Sequence, residues 1–527
     1  MRNANSSLST LSAWPRVLAL IVLALTMAAC DTLSAPTATP TVTATMTATA
    51  TTSPTPTTSP TATETPTPTV TPTVTLTPTA TLTPSITPTP SITPLPEISR
   101  VFDNWDRVDL PDIITDGIDN PLIIFANSNN QQNIANIATA EPANRVLTVY
   151  AVQPGAPNSR IPLLELDVST SNRIYASPTG SALLYFREVG GDAGLYVLNM
   201  RNGSIGRLIP TPSLVQRGFV SEPSWGPDGE SFAIALQTGY AMDIFVYARD
   251  GSNRVNITQS GSYDWAPAWS PDGRYIAFLS DRANCPSWNP ADPVFCDALT
   301  DPTPRVGNVF VLEVDTGTVR QLGDVQANET PRWINARQVV FAGGDQTDLL
   351  NPQRTIWLGT ASSGDVQQVV ATGDENALYL SDTWSPDGSR VLVQRVTDTG
   401  SDLALLRTTG EVIRTRTETV EFSRFGMAAT WSPLTDRIAI GGVDGQCPYG
   451  VRVVDPDFEF IARGNPPPSM CNPLFSPDGS SIAFTGINPN VDGRVDVYSA
   501  SANGFNQVNL TVDLRGTMSL LGWIGPR

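Results

Sequence analysis

A closed ring of repeated four-stranded antiparallel sheets, an all-β propeller of about eight blades, is the fold class this sequence predicts. Three observations predict it. A short Trp-x-Pro-Asp-Gly segment recurs along residues 98–527, a β-rich run follows each copy, and the C-terminus has the features of the one strand that the first unit lacks. Seven blades is the alternative, if residues 121–168 form a cap rather than a blade.

The repeat is clearest at Trp225-Gly226-Pro227-Asp228-Gly229, Trp269-Ser270-Pro271-Asp272-Gly273 and Trp384-Ser385-Pro386-Asp387-Gly388. Weaker copies are Trp431-Ser432-Pro433 and Phe475-Ser476-Pro477-Asp478-Gly479; Ala176-Ser177-Pro178-Thr179-Gly180 is weaker still, and Trp333 marks a degenerate one. Pro and Asp-Gly preset a tight turn between two strands. The runs that follow, such as Tyr275-Ile276-Ala277-Phe278 and Arg390-Val391-Leu392-Val393, are apolar and β-prone. A second run then leads to a Gly turn, as in Asp243-Ile244-Phe245-Val246-Tyr247 before Asp250-Gly251, and a short last run closes the unit. Copies recur at on the order of 45 residues, the size of a four-stranded blade.

The first run, Pro121 to Phe125, has no Trp-x-Pro strand before it, whereas the chain finishes on Leu520-Leu521-Gly522-Trp523-Ile524-Gly525-Pro526. The C-terminus is therefore expected to supply the inner strand of the first blade, which leaves no free edge. Each motif Trp reads as an apolar plug between blades and each motif Asp as a turn former.

The WSPDG copies, together with Ile276 to Arg282 (IAFLSDR), resemble the repeat of the TolB propeller family over about residues 120–527. The resemblance implies a propeller that works through protein contacts. It implies no particular chemistry, because function sits in sites grafted on folds.

Ahead of the repeats lie two further segments. Arg2 and Arg16 flank the apolar run Val17 to Thr26, which ends on Met27-Ala28-Ala29-Cys30. This resembles the signal and lipobox of bacterial lipoproteins and implies that residues 1–29 are removed and that Cys30 carries the lipid. The apolar run is nearer the roughly 7–15 residues of a signal than the ~20 of a spanning helix. Residues 30–97 are almost only Thr, Pro, Ala and Ser. Such a stretch buries little, and in an extended polyproline-II form it reaches on the order of 200 Å. Residues 98–527 form the propeller. The expected location is the extracytoplasmic side of a membrane, as a lipid-anchored monomer.

Composition restricts the chemistry. The 50 acidic residues outnumber the 32 basic ones, and every basic residue is Arg. The net charge of −18 opposes nucleic acid and anionic lipid. With no His and no Lys, a Ser-His-Asp triad, imidazole metal sites and Schiff-base chemistry are excluded within these residues. No catalytic residue and no cofactor is expected; calcium at the Asp-rich turns is a minor alternative that no EF-hand spacing supports. Apart from Cys30 there are four cysteines, for which the pairs Cys285–Cys296 and Cys447–Cys471 are expected among three possible pairings.

Acids recur ahead of the motif Trp: Glu222, Asp264, Glu329 and Asp382, with Trp265 beside Asp264. As a group they read either as an acidic mouth for a cation, an amine or a basic peptide, or as solvated loop carboxylates. The function expected is a binding or scaffolding module of the cell envelope whose partner is an envelope protein or peptide. The alternatives are a carboxylate-dependent polysaccharide hydrolase or lyase, and a mainly structural surface protein.

Overall fold

A computed structural model of the chain describes residues 106–526, apart from 130–145, 168–172, 188–192, 211–214, 217–218, 221, 345–353, 374–377, 398–399, 418–425, 444–446, 449, 464–467 and 491–492. The expected signal, Cys30 and the Thr/Pro segment lie outside the described residues.

Among the described residues the strands group into eight four-stranded antiparallel blades. Blade 4 shows the plan: Asp264–Trp269 is innermost, followed by Tyr275–Ser280, Gly307–Glu313 and Thr318–Ala327. Blades 2 and 3 occupy 174–210 and 224–256, and blades 5 to 8 occupy 332–368, 378–416, 427–463 and 471–509. Inner strands of several neighbouring blades touch one another, which places them around the ring's centre.

Blade 1 is the exception in chain order. Its outer three strands are Leu122–Asn129, Val146–Val152 and Ile161–Asp167, and its inner strand is the C-terminal Thr517–Ile524. The two ends pair antiparallel, with Trp523 opposite Ile123 and Gly522 opposite Ile124. Closure by the C-terminal strand is thus as the sequence predicts. Residues 122–167 build a full blade, so the ring has eight blades and not seven with a cap.

The packing explains why the apolar runs are continuous. Successive strand residues point to opposite faces of a sheet, and here both faces are covered by a neighbouring blade. Ile124 and Ala126 pack with Leu183 between blades 1 and 2, whereas Ile123 and Phe125 pack with Val497 between blades 8 and 1. Leu183 and Tyr185 face blade 1, while Leu184 and Phe186 face blade 3. The same alternation carries the core on through blades 3 to 5, then 5–6, 6–7 and 7–8.

The motif residues have the roles the sequence assigns them. Trp225, Trp333 and Trp523 each belong to an interblade core. Each also donates its indole N–H to a main-chain carbonyl on the inner strand of the preceding blade: Tyr175 at 3.0 Å, Ala268 at 2.8 Å and Leu474 at 3.1 Å. All three acceptors stand one residue before the motif position of their own blade. In the turn itself, Ser270 Oγ donates to Asp272 Oδ1 at 2.7 Å and accepts the N–H of Tyr275 at 2.9 Å. Ser385 with Asp387 and Ser476 with Asp478 repeat the arrangement. Gly273 closes the turn at φ +76°, a conformation that strains residues with a Cβ.

Removing residues 517–527 is expected to turn Leu122–Asn129 into an open edge. The truncated chain should elute as oligomers or aggregates in size-exclusion chromatography and lose the single cooperative urea transition of the intact chain. A monomer with an unchanged transition would contradict closure by this strand.

Candidate functional site

The strand register assigns the loops to two faces. In blade 4, Asp264 at the start of the inner strand lies opposite Ser280, which lies opposite Asn308, which lies opposite Gln326. Loops before the inner strands and loops between second and third strands therefore share one face. The Ser-Pro-Asp-Gly turns lie on the other. The turn face is uniform. The loop face is not: blade 3 links its second and third strands through Gly239 and Tyr240 alone, whereas blade 4 uses 281–306.

The 281–306 insertion is firmly anchored. Asp281 accepts the N–H of Tyr263 and the indole N–H of Trp288, both at 2.8 Å. The rings of Tyr263 and Trp288 stack at 4.9 Å. Ser262 Oγ donates to the carbonyl of Cys285. Cys285 is bonded to Cys296, as the sequence predicts. Beyond this anchor the loop exposes apolar side chains: Val294 is 66 % exposed, Phe295 44 % and Leu299 94 %. The second expected disulfide, Cys447–Cys471, joins the equivalent loop of blade 7 to the inner strand of blade 8.

The four acids named from sequence stand three, five, four and two residues before their motif Trp, so they sit at different depths along the ring. Asp264 is fully buried and bound to Arg282 at 2.7 Å. Burial pushes its carboxyl above the ordinary range, and Arg282 opposes that shift. The Arg282 guanidinium lies over the rings of Phe278 and Phe310. Trp265 packs in the core of blades 3 to 5. Its ring would stand 2.6 Å from a Cβ at residue 307, so glycine is required there.

Asp382 and Glu329 are brought together by a third residue. Arg354 reaches Asp382 at 2.9 Å and Glu329 at 3.3 Å, and Arg332 also binds Asp382. Asp382 further accepts the indole N–H of Trp384 at 2.8 Å. Burial raises the Asp382 carboxyl, but Arg332 and Arg354 outweigh it and hold the group at about 2. Glu222 is exposed and acts on the Tyr175 hydroxyl, which burial and then the Glu222 charge push above its ordinary value. The four acids thus occupy three separate settings. Among the described residues no group of three or more Cys, Asp or Glu side chains is placed to hold a metal ion.

The sequence pattern leaves several of these partners unmarked. Arg282, Arg332 and Arg354 carry no motif that pairs them with the acids. A second recurrent device was readable in principle. Asp243 accepts from Asn256 Nδ2 and Thr258 Oγ1, and Asp496 accepts from Asn509 Nδ2 and Thr511 Oγ1. The matching sequence signals are Asp-Ile-Phe-Val with Asn-Ile-Thr, and Asp-Val-Tyr-Ser with Asn-Leu-Thr. In both, a buried carboxylate ties the third strand of the blade to the start of the next connection.

Fold and sites together define a class: a repeat-built ring with one uniform and one elaborated face. More particularly, residues 175–288 match the family model described as the TolB beta propeller domain, so the repeats in that stretch are TolB-like. A protein TolB homolog of Chlorobium luteolum is 28% identical over 144 residues, 27% of each chain. A tricorn protease homolog of Saccharolobus solfataricus is 31% identical over 120 residues, 23% of this chain and 11% of that one. The chain therefore spans well under a third of the length of these curated relatives. An oligogalacturonate lyase solved in complex with manganese aligns with 73% of this chain and 97% of its own, at 14% identity and a TM-score of 0.40.

Two of the buried carboxyls, Asp382 and Asp281, predict opposite pH behaviour. Asp382 sits at about 2, below its ordinary 3.8. Its contribution to stability is complete above 3.8 and lost as pH falls towards 2. Burial raises Asp281 to about 6, with Trp288 and the Tyr263 N–H opposing and Asp264 adding to the rise. Its contribution is complete below 3.8 and lost as pH rises through 6. Side-chain carboxyl NMR titration should show one group near each value, the low one missing in Asp382→Asn and the high one missing in Asp281→Asn. Asp382→Asn should also cost about 3 kcal/mol or more in urea unfolding at pH 7, because two arginines lose a buried partner.

Proposed function

We propose that this chain is a non-catalytic binding module of the cell envelope. It is held on the extracytoplasmic side by lipid at Cys30, and its loop face takes a protein partner. The observation that carries the reading is the contrast between the faces. Insertions in repeat rings gather on the face that binds. Here that face holds both disulfides and a pinned loop that offers Val294, Phe295 and Leu299 to solvent. An exposed apolar patch held in one shape lowers the ordering cost of association.

The charge arrangement supports a binding role over a hydrolytic one. A glycosidase-type mechanism needs two carboxyl groups free to act on a sugar. Asp264, Glu329 and Asp382 are instead engaged by arginines. The TolB-like repeats and the TolB name of one relative fit a partner that is a protein. The Thr/Pro segment between Cys30 and the ring would hold the module away from the bilayer.

Cross-linking in membranes that carry the intact chain is expected to capture a defined partner. Phe295→Asp with Leu299→Asp should abolish capture, while Leu434→Asp, an exposed apolar position in a turn on the opposite face, should leave it intact. Equal capture by both variants would overturn the assignment of this face.

A further inference from the structure

Within the 281–306 insertion, residues 289–304 carry three acids, Asp292, Asp297 and Asp301, and no basic residue. The acids interleave with the exposed Val294, Phe295 and Leu299. Asp301 is exposed, and Asp292 and Asp297 are half-buried. Each carboxylate is held by a neutral donor of the loop itself. Asp292 accepts from Ser287 Oγ, Asp297 accepts the N–H of Leu299 at 2.9 Å, and Asp301 accepts the N–H of Asp297 at 2.7 Å. Among the described residues no arginine pairs with these three, in contrast to Asp264, Glu329 and Asp382 on the same face.

Those bonds also fix where the charges stand. Asp297 caps the backbone of Leu299, the most exposed of the apolar residues. The N–H of Asp301 returns to the Asp297 carbonyl at 2.7 Å, so the two acids share one helical turn. Like charges four residues apart on a turn repel each other, and a cation between them relieves the repulsion. The loop thus presents apolar side chains and uncompensated negative charge together, on a frame pinned by the Cys285–Cys296 bond.

We infer that this loop docks a basic, apolar segment of the protein partner, with Lys or Arg side chains on Asp292, Asp297 and Asp301 and apolar side chains on Phe295 and Leu299. The inference rests on the loop face being the face that binds. Charge complementarity selects this occupant. A wholly apolar surface would bury three carboxylates without a cation, which is costly. A second copy would set these acids against an equally acidic chain of net charge −18. An anionic bilayer is repelled for the same reason, and a neutral one offers no cation free of its own phosphate.

The probe is a fluorescein-labelled peptide of four Lys-Leu-Ser units, titrated into the intact chain in about 0.15 M salt and read by anisotropy. Glu-Leu-Ser and Lys-Ser-Ser peptides of equal length are the controls. Saturable binding of the Lys-Leu-Ser peptide alone is expected. Asp292→Asn with Asp297→Asn and Asp301→Asn keeps an oxygen acceptor for each bond of the loop and should weaken binding about tenfold. Phe295→Ser with Leu299→Ser should weaken it by a similar factor. Asp315→Asn with Asp365→Asn and Asp457→Asn removes the same charge from exposed hairpins of the turn face and should leave binding unchanged. Equal binding of the Lys-Ser-Ser peptide, or equal weakening by the turn-face variant, would overturn the inference. So would self-association, or loading onto phosphatidylcholine vesicles, that depends on Phe295 and Leu299. In membranes, partner capture that survives the three loop Asn substitutions but is lost in Phe295→Asp with Leu299→Asp would overturn the basic segment and leave the loop face standing. Capture that survives both would overturn the face itself.

Discussion

Every blade in this ring buries both of its faces against other blades, and that one constraint governs the rest. A lone four-stranded sheet with Ile123, Ile124, Phe125 and Ala126 in a row would expose apolar surface on one side whichever way it packed. Only a closed ring covers both sides of all eight sheets. Closure in turn needs a strand that joins the last blade to the first, and Thr517–Ile524 does so by pairing with Leu122–Asn129 while packing against blade 8. The interface cores account for the continuous apolar runs, in place of the alternating pattern of a sheet with one wet face.

The repeated motif serves this constraint at two scales. Locally, Ser and Asp satisfy the turn's own polar groups, so the chain reverses without help from elsewhere. Between blades, the Trp plugs the gap and, at three positions, fastens to the backbone of the blade before. Trp269, Trp384 and Trp431 depart from this: their indoles turn to the Gly273 carbonyl, Asp382 and Asp436.

Charge is managed in a similarly local way. The chain is strongly acidic, yet its buried carboxylates are covered: Asp264 by Arg282, Asp382 by two arginines, and Asp243 and Asp496 by Asn and Thr. Removing a carboxylate from water is costly unless its partners replace the lost hydrogen bonds. Supplying arginine for that purpose leaves the remaining acids on the surface, where they keep a net negative field. The loop face is thus stiffened by ion pairs and disulfides, and its apolar side chains are presented on a braced frame.

The sequence by itself determined the repeat and the blade size; the closure of the ring and the choice among the three cysteine pairings were expectations that the structure decided. The repeat and the blade size depend on short-range rules: turn chemistry, strand period and the spacing of like segments. It marked Glu222, Asp264, Trp265, Glu329 and Asp382 as a group because each stands near a motif Trp. Only the tertiary structure decided their settings. A step of one residue reverses a side chain's direction on a strand, so unequal offsets from the Trp send the acids to different depths and different neighbours. Arg354 lies 28 residues from Asp382 in the chain, and Arg332 lies 50 away. Contacts between blades at such separations leave no periodic trace.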